Sequence, residues 1–337
     1  MFVRRDANLW VLCILIIVLF GFGGVVSGGT YLSLFNLQSM AMQVPEIGLL
    51  AIGVMLAMCA GNGGIDLSGI ANANLSGVAS GIFTLSLFDA SHDPFLFTIT
   101  FVVGCMVIGL LGGVLNGLII SRFGITPILG TLGTQMVFTG IAVVLSEGRS
   151  VKVGSPDPLY AIGNGLVFGI PASFIIFVMI GCALGVVLKY TPYGMRLMLT
   201  GANPKAAVYN GFPSGRIIVT TYAISGLLAG IAGIIIAARN INVKWDYGSS
   251  YLLVAILIAV MAGVRPEGGY GRVVTVLLSA VVLQLLSSLL NFIGLSNFVR
   301  DLAWGALLLC FLAVGRFDLI NQISVSIASM RSPHATK

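Results

Sequence analysis

The sequence is short of charge. Its 337 residues include 17 Lys and Arg and 11 Asp and Glu, 8% in all, where a soluble domain carries roughly 25%. That deficit excludes a cytosolic enzyme, and it excludes a disordered regulator, which needs high charge and low hydrophobicity. Cysteine is scarce as well. Cys13, Cys59, Cys105, Cys182 and Cys310 all lie in apolar stretches, and no two are close enough in sequence for a metal or redox pair. A secreted disulfide scaffold is therefore excluded, and the thiols read as small buried hydrophobes. There are two histidines: His92 in the polar turn 89–94, and His334 near the C-terminus. Both read as solvated. The sequence has no His-Glu-x-x-His, no Gly-x-Ser-x-Gly and no paired carboxylates, so neither a metal site nor a catalytic centre is expected. It also lacks the Gly-x-x-x-x-Gly-Lys-Ser/Thr phosphate loop. Any ATP and Mg that power the protein must then sit on another subunit.

What is abundant is apolar length. Hydrophobic residues make up 58% of the chain, with 44 glycines and a mean hydropathy of +1.06. Ten windows contain no Asp, Glu, Lys or Arg: 7–45, 47–65, 67–88, 94–121, 123–146, 158–188, 217–238, 247–264, 273–299 and the shorter 302–315. A membrane-crossing helix needs about 20 such residues. Stretches such as 11–20 and 273–283 are almost continuously apolar, unlike the alternation of a transmembrane strand. The expectation is an all-α integral membrane protein of about ten spans. The first run, behind Arg4 and Arg5, reads as a retained span, with cleavage near Gly28 as the alternative. With the N-terminus inside, twelve Lys and Arg fall on the inner side and five on the outer, which favours both termini inside. The net charge of +6 is scattered over many loops, so it reports topology and not a nucleic-acid surface. Residues 1–320 read as one membrane domain and 321–337 as a cytoplasmic tail.

The segment between the sixth and seventh spans departs from this monotony. Pro192 and Gly194 break the preceding helix, Asn203 can cap a new one with Pro204 at its first turn, and Asn210-Gly211 can end it. A short helix outside the membrane follows. It suits docking into a groove on a partner, or lying on lipid headgroups. Within the spans, acids are nearly missing. Asp66 is the first candidate at membrane depth, with Glu46 second. Asp66 follows the glycine break 61–64 and reads either as a helix cap, helped by Ser68, or as a polar contact on a path. A second glycine break, 263–271, occupies a similar place in the other half of the chain and suggests an internal repeat. Asn62, Asn72, Asn74, Asn116, Gln135, Gln284 and Asn291 are candidate path residues, although bonding between helices explains them equally well. The glycines at 104, 109, 112, 113 and 117, and those at 226, 230 and 233, read as close helix packing.

Four ordered motifs carry a resemblance. They are Gly63-Gly64-Ile65-Asp66-Leu67-Ser68, the run 126–134, the run Gly201-x-Asn203-x-x-Ala206-Ala207-x-x-x-Gly211, and the late glycine loop 261–271. Together they resemble the permeases of bacterial ABC importers, and within them the ribose/monosaccharide type. Three departures stand out: Gly69-Ile70-Ala71-Asn72 after the first motif, Lys205 where an acid is common, and Ala262 for a glycine. The resemblance implies a membrane subunit that moves a small sugar or polyol and binds no cofactor of its own. It implies three partners: a second permease, identical or different; a cytoplasmic ATPase docking on Gly201, Asn203, Lys205, Ala206, Ala207 and Gly211; and a solute-binding protein meeting the outer loops 147–164 and 239–250. A branched-chain amino-acid permease is the related alternative. An ion-coupled transporter is a different class, and the missing charge network at membrane depth argues against it. A non-transporting scaffold fits the glycine-rich spans poorly.

Overall fold

The computed structural model describes residues 2–316, so the expected tail at 321–337 lies outside the described residues. The fold is all-α apart from two pairs of two-residue strands. The helices are α1 (Phe2–Val26), α2 (Leu34–Cys59), α3 (Gly69–Leu87), α4 (Pro94–Phe123), α5 (Pro127–Ser146), α6 (Asp157–Asn164), α7 (Ala172–Tyr190), α8 (Pro192–Ala202), α9 (Pro204–Tyr209), α10 (Ser214–Asn240), α11 (Tyr251–Met261), α12 (Val273–Phe292) and α13 (Asn297–Arg316). Among the described residues, eight helices are long and apolar enough to cross a membrane: α1 to α5, α7, α10 and α12.

The windows do not map one to one. The break expected at Glu46 falls inside α2, which runs through Pro45 and Glu46 without ending. Window 158–188 holds two elements, α6 and α7, separated by the hairpin Leu166–Val167 with Ile170–Pro171. Window 247–264 yields only the 11-residue α11. The last window belongs to a longer helix, α13, which includes Arg300 and Asp301.

Helices α2 and α10 form the centre. Most of α10 and nearly all of α2 beyond Pro45 are buried, whereas α1, α4, α5 and α7 turn much of their surface outward. The expected glycine packing is present. A Cβ on Gly109 would stand 2.5 Å from the carbonyl oxygen of Gly226, and one on Gly117 would stand 2.6 Å from the Cα of Val219. Helices α4 and α10 therefore touch main chain to main chain. Without a hydrophobic drive between helices in lipid, such contact holds them by dispersion. The thiols divide: Cys59 and Cys105 are buried, but Cys182 and Cys310 are exposed on the apolar outer surface, against the expectation for all five.

The close α4–α10 contact generates a stability prediction. Gly109→Ala should lower the stability of the purified permease by about 1–3 kcal/mol, as overpacking does. Gly140→Ala, where a Cβ meets nothing within 4 Å, should leave it unchanged. Thermal unfolding in detergent reads both, and equal midpoints for the two variants would refute the packing account.

Candidate functional site

After α2 the chain does not simply cross to the next helix. Residues 60–68 are irregular and turn back along α2. By Asp66 the chain has reached the level of Gly53 and Ser225, near the middle of α10. A Cβ on Gly53 would lie 2.7 Å from Ser225 Oγ, and that hydroxyl donates to Asp66 Oδ2 at 2.7 Å. Irregular backbone at membrane depth persists only where the protein itself satisfies it. Here Gly64 N donates to Gly61 O at 2.9 Å, Leu67 N donates to Thr131 Oγ1 at 3.1 Å, and Ser68 N donates to Asp66 Oδ1 at 3.0 Å. Helix α3 then starts from within the bundle.

Asp66 is not the cap residue of α3. That place belongs to Ser68, whose side chain makes no capping bond. The Asp66 carboxylate instead collects Ser68 N, Ser68 Oγ at 2.7 Å and Ser225 Oγ. The chain of bonds continues outward. Asn116 Nδ2 donates to Ser68 Oγ at 2.7 Å, and Thr134 Oγ1 donates to Asn116 Oδ1 at 2.5 Å. The loop, α4, α5 and α10 are thus tied through one buried polar network, in which each bond is strengthened by the low local dielectric.

The structure sorts the remaining path candidates. Asn72 Nδ2 donates to Gly109 O at 2.9 Å. Asn74 Nδ2 donates to Trp245 O at 3.1 Å and to Tyr247 O at 2.9 Å. These two, with Asp66, Ser68 and Asn116, are committed to ties between elements. Gln284 Nε2 donates to Gln43 Oε1 at 3.2 Å, joining α12 to α2. Gln135 is half-buried, with its Oε1 unpaired. Asn62 and Asn291 are exposed.

One cluster escaped the sequence reading. Glu46 is fully buried in the middle of α2, with Arg239 Nε 2.7 Å from its Oε1. This is a charge contact outside hydrogen-bond geometry, since neither atom has a hydrogen-bond partner. Arg239 Nη2 donates to Tyr247 OH at 2.9 Å, and the hydroxyls of Tyr247 and Tyr251 donate to Glu46 Oε2 at 3.1 and 3.3 Å. The expectation of no charge network at membrane depth is corrected. Arg239, expected in a solvated loop, closes a buried pair with Glu46. The pair neutralises itself, as a buried charge must. The sequence signal available was Glu46 interrupting an otherwise continuous apolar run.

At the end of the bundle where α2 stops, three segments converge as main chain. Gly269 N donates to Cys59 O at 3.2 Å. A Cβ on Gly61 would lie 2.6 Å from Gly201 O, and one on Gly201 would lie 2.7 Å from Gly269 N. The two glycine breaks meet there, with the end of α8 between them. Pro192 begins α8 at its first turn and does not merely break α7. Tyr193 OH lies 2.9 Å from Thr221 Oγ1 and anchors α8 to α10. Burial pushes this phenol up to about 12, so the link stays uncharged. The short helix forms as expected: Asn203 Oδ1 accepts from Ala206 N at 3.0 Å, and Gly211 takes the left-handed turn at φ +73°. Of the expected docking residues, Asn203, Lys205, Ala206 and Gly211 are exposed, but Gly201 and Ala207 are buried. The sequence reading passed over Val208 and Tyr209, which are 62% and 91% exposed.

At the other end, the two loops expected to meet a partner are one platform. Val151–Lys152 pairs antiparallel with Asn242–Val243, and Trp245 Nε1 donates to Gly148 O at 3.3 Å. Residues 157–164 are the helix α6, not loop.

Residues 36–312 match the family described as "Branched-chain amino acid transport system / permease component". The chain is 31% identical to the ribose import permease protein RbsC of Bacillus subtilis (strain 168), covering 85% of this chain and 86% of that one. It is 26% identical to the L-arabinose transport system permease protein AraH of Escherichia coli (strain K12), covering 85% and 84%. It is 28% identical to the D-allose transport system permease protein AlsC of the same organism, covering 87% of each. No solved structure matches.

The buried pair yields a testable asymmetry. Arg239→Ala leaves a lone carboxylate in the bundle and should cost about 3–5 kcal/mol. The double variant Glu46→Gln with Arg239→Ala removes that lone charge and should recover most of the loss. Thermal unfolding of the three proteins in detergent checks this, and a double variant no more stable than Arg239→Ala contradicts it.

Proposed function

The chain belongs to the branched-chain amino acid transport system / permease component family, and from that premise we propose that it is the membrane-spanning subunit of an ATP-driven importer for a small sugar or polyol. The likeness to ribose, arabinose and allose permeases supports the cargo class. The protein itself is a transporter subunit and does no covalent chemistry. It resides in the bacterial inner membrane, in contact with lipid.

The observation that carries the coupling half of the proposal is the projecting α8–α9 hairpin. Helix α9 presents Lys205, Ala206, Val208 and Tyr209 outward, while Ala207 packs inward. A tyrosine beside small residues on a rigid helix suits a groove on a partner. The partner is a cytoplasmic ATPase that carries ATP and Mg. Its closure displaces α9, and α8 passes the displacement to the main-chain junction at Gly201. That junction joins the loop after α2 to the loop before α12, so one push reaches both halves of the chain. In this reading the hairpin is cytoplasmic, both termini are inside, and α11 and α13 complete ten membrane-inserted helices. The platform of 147–164 and 239–250 then faces outward, where a solute-binding protein docks. Its mixed charges (Arg149, Lys152, Lys244 and Asp246) suit an oriented encounter. A second permease subunit, identical or different, completes the pathway.

Tyr209→Asp should uncouple transport from ATP hydrolysis. Both residues of the exchange are exposed, so the amount of folded permease stays normal, while sugar uptake by the reconstituted importer falls about tenfold, a loss of roughly 1.4 kcal/mol in coupling. Co-purification of the ATPase with tagged permease reads the docking directly. Wild-type uptake and undiminished co-purification would overturn the docking assignment.

A further inference from the structure

The chain between α6 and α7 belongs neither to the spans nor to the platform. Leu166–Val167 pairs antiparallel with Ile170–Pro171 around a two-residue turn. At the root, Ala172 N donates to Gly165 O at 2.9 Å. At the tip, Gln38 Nε2 donates to Gly169 O at 2.9 Å. Gln38 lies in the second turn of α2, whose other end is Cys59 at the main-chain junction. The hairpin therefore stands at the platform's end of the bundle, and α7 starts from it directly at Ala172.

Its side chains are wrong for water. Leu166, Val167 and Ile170 are each about half exposed, and Phe168 at the tip is fully exposed. Leu34 and Phe35 sit four and three residues before Gln38, on its face of α2, and both are exposed. No Asp, Glu, Lys or Arg occurs from 158 to 188. The turn is telling as well. Phe168 and Gly169 both have positive φ, +52° and +83°, the pattern of a type I′ turn that Asn-Gly or Gly-Gly satisfies. A bulky aromatic is disfavoured at such a φ. The backbone alone would select Asn or Gly at position 168, so the ring is there for what it touches.

The surroundings select the occupant. The patch continues a surface that already meets lipid, because α7 leaves the hairpin at once and turns most of its length outward. The charges of this end, Arg149, Lys152, Lys244 and Asp246, belong to the platform, so docking by charge has its own place. Depth follows from the main chain. The hairpin pairs only two residues of each strand, and hydrocarbon does not tolerate lipid-exposed main chain left unpaired. The headgroup boundary supplies water to such groups and acyl chains to the apolar ones. We propose that the hairpin and the first turn of α2 form a foot seated between headgroups and acyl chains of the leaflet on the platform's side, with Phe168 as its wedge. The ligand is a phospholipid surface, held by burial of apolar area. The foot fixes the depth at which α2 and α7 enter the bilayer, and so the height of the platform above it.

The test reads depth in the full-length permease, held in phosphatidylcholine nanodiscs so that both faces meet solvent. Phe168→Cys carries a bimane fluorophore, and Lys152→Cys on the platform is the exposed control. In both, Cys13, Cys182 and Cys310 are replaced by alanine, while the buried Cys59 and Cys105 stay. The quenchers are aqueous iodide and phosphatidylcholine with a nitroxide near the head or near the tail of its acyl chain. An interfacial segment lies roughly 5–10 Å into the boundary, so iodide should quench the 168 label about threefold less than the 152 label, and the shallow nitroxide should quench it about threefold more than the deep one. Val167→Ser with Ile170→Ser should lift the 168 label into water and bring its iodide quenching to the level seen at 152. Iodide quenching at 168 as strong as at 152 would overturn the foot. Protection from iodide without quenching by either nitroxide would overturn it in favour of a second copy of the chain, and protection that appears only on adding a solute-binding protein would overturn it in favour of that partner. A label unmoved by the two serines would refute anchoring by the apolar side chains. The measurement needs neither ATPase nor cargo, so each of these failures leaves the importer reading standing.

Discussion

Main chain that leaves its helix inside a membrane must find every hydrogen bond within the protein, and residues 60–68 are where this fold meets that demand. Thr131 serves the amide of Leu67 and lies 3.1 Å from the carbonyl of Ile65. Asp66 serves the amide of Ser68 and then reaches across to α10 through Ser225. Because the partners come from α4, α5 and α10, the irregular segment sets the positions of those helices as much as they set its own. The glycines follow from the same demand. Only residues without a Cβ let α4 and α10 approach closely enough to enclose a segment that has no helix of its own.

The class of the fold was legible because apolar length is written continuously along the chain, and the short capped helix was legible because Asn203-Pro204 and Asn210-Gly211 are local signals. What failed was anything set by a distant partner. Glu46 looked like the end of a span because charge looks costly in isolation, yet Arg239 and two tyrosines make it tolerable in the middle of a helix. Arg239 itself counted as a loop cation for the same reason. The amides on α3 and α4 could be read as path or as glue from sequence, and their partners, the carbonyls of Gly109 and Trp245 for Asn72 and Asn74 and the hydroxyls of Ser68 and Thr134 for Asn116, are visible only in the structure. Gly201 belonged to the docking run by its spacing, but its position against Gly269 places it beneath the run. Tyr209 was passed over because it matched no motif, although it is the most exposed large hydrophobic side chain of the hairpin.

Most of the buried polar residues that make hydrogen bonds hold elements together. One bonded network ties the loop after α2 to α4, α5 and α10, and a second cluster of Glu46, Arg239, Tyr247 and Tyr251 joins α2 to α10 and α11. Among the described residues, a few buried atoms, Asn72 Oδ1 among them, have no hydrogen-bond partner.

The junction of Gly61, Gly201 and Gly269 is built from peptide groups alone. It contains no side chain whose shape or charge could be matched to a particular cargo, and it stands at the opposite end of α2 from the platform. The main-chain junction and the side-chain surface of the platform are therefore built from separate residues. Side chains of the platform can be exchanged without entering the backbone contact that holds the two glycine loops and the end of α8 together.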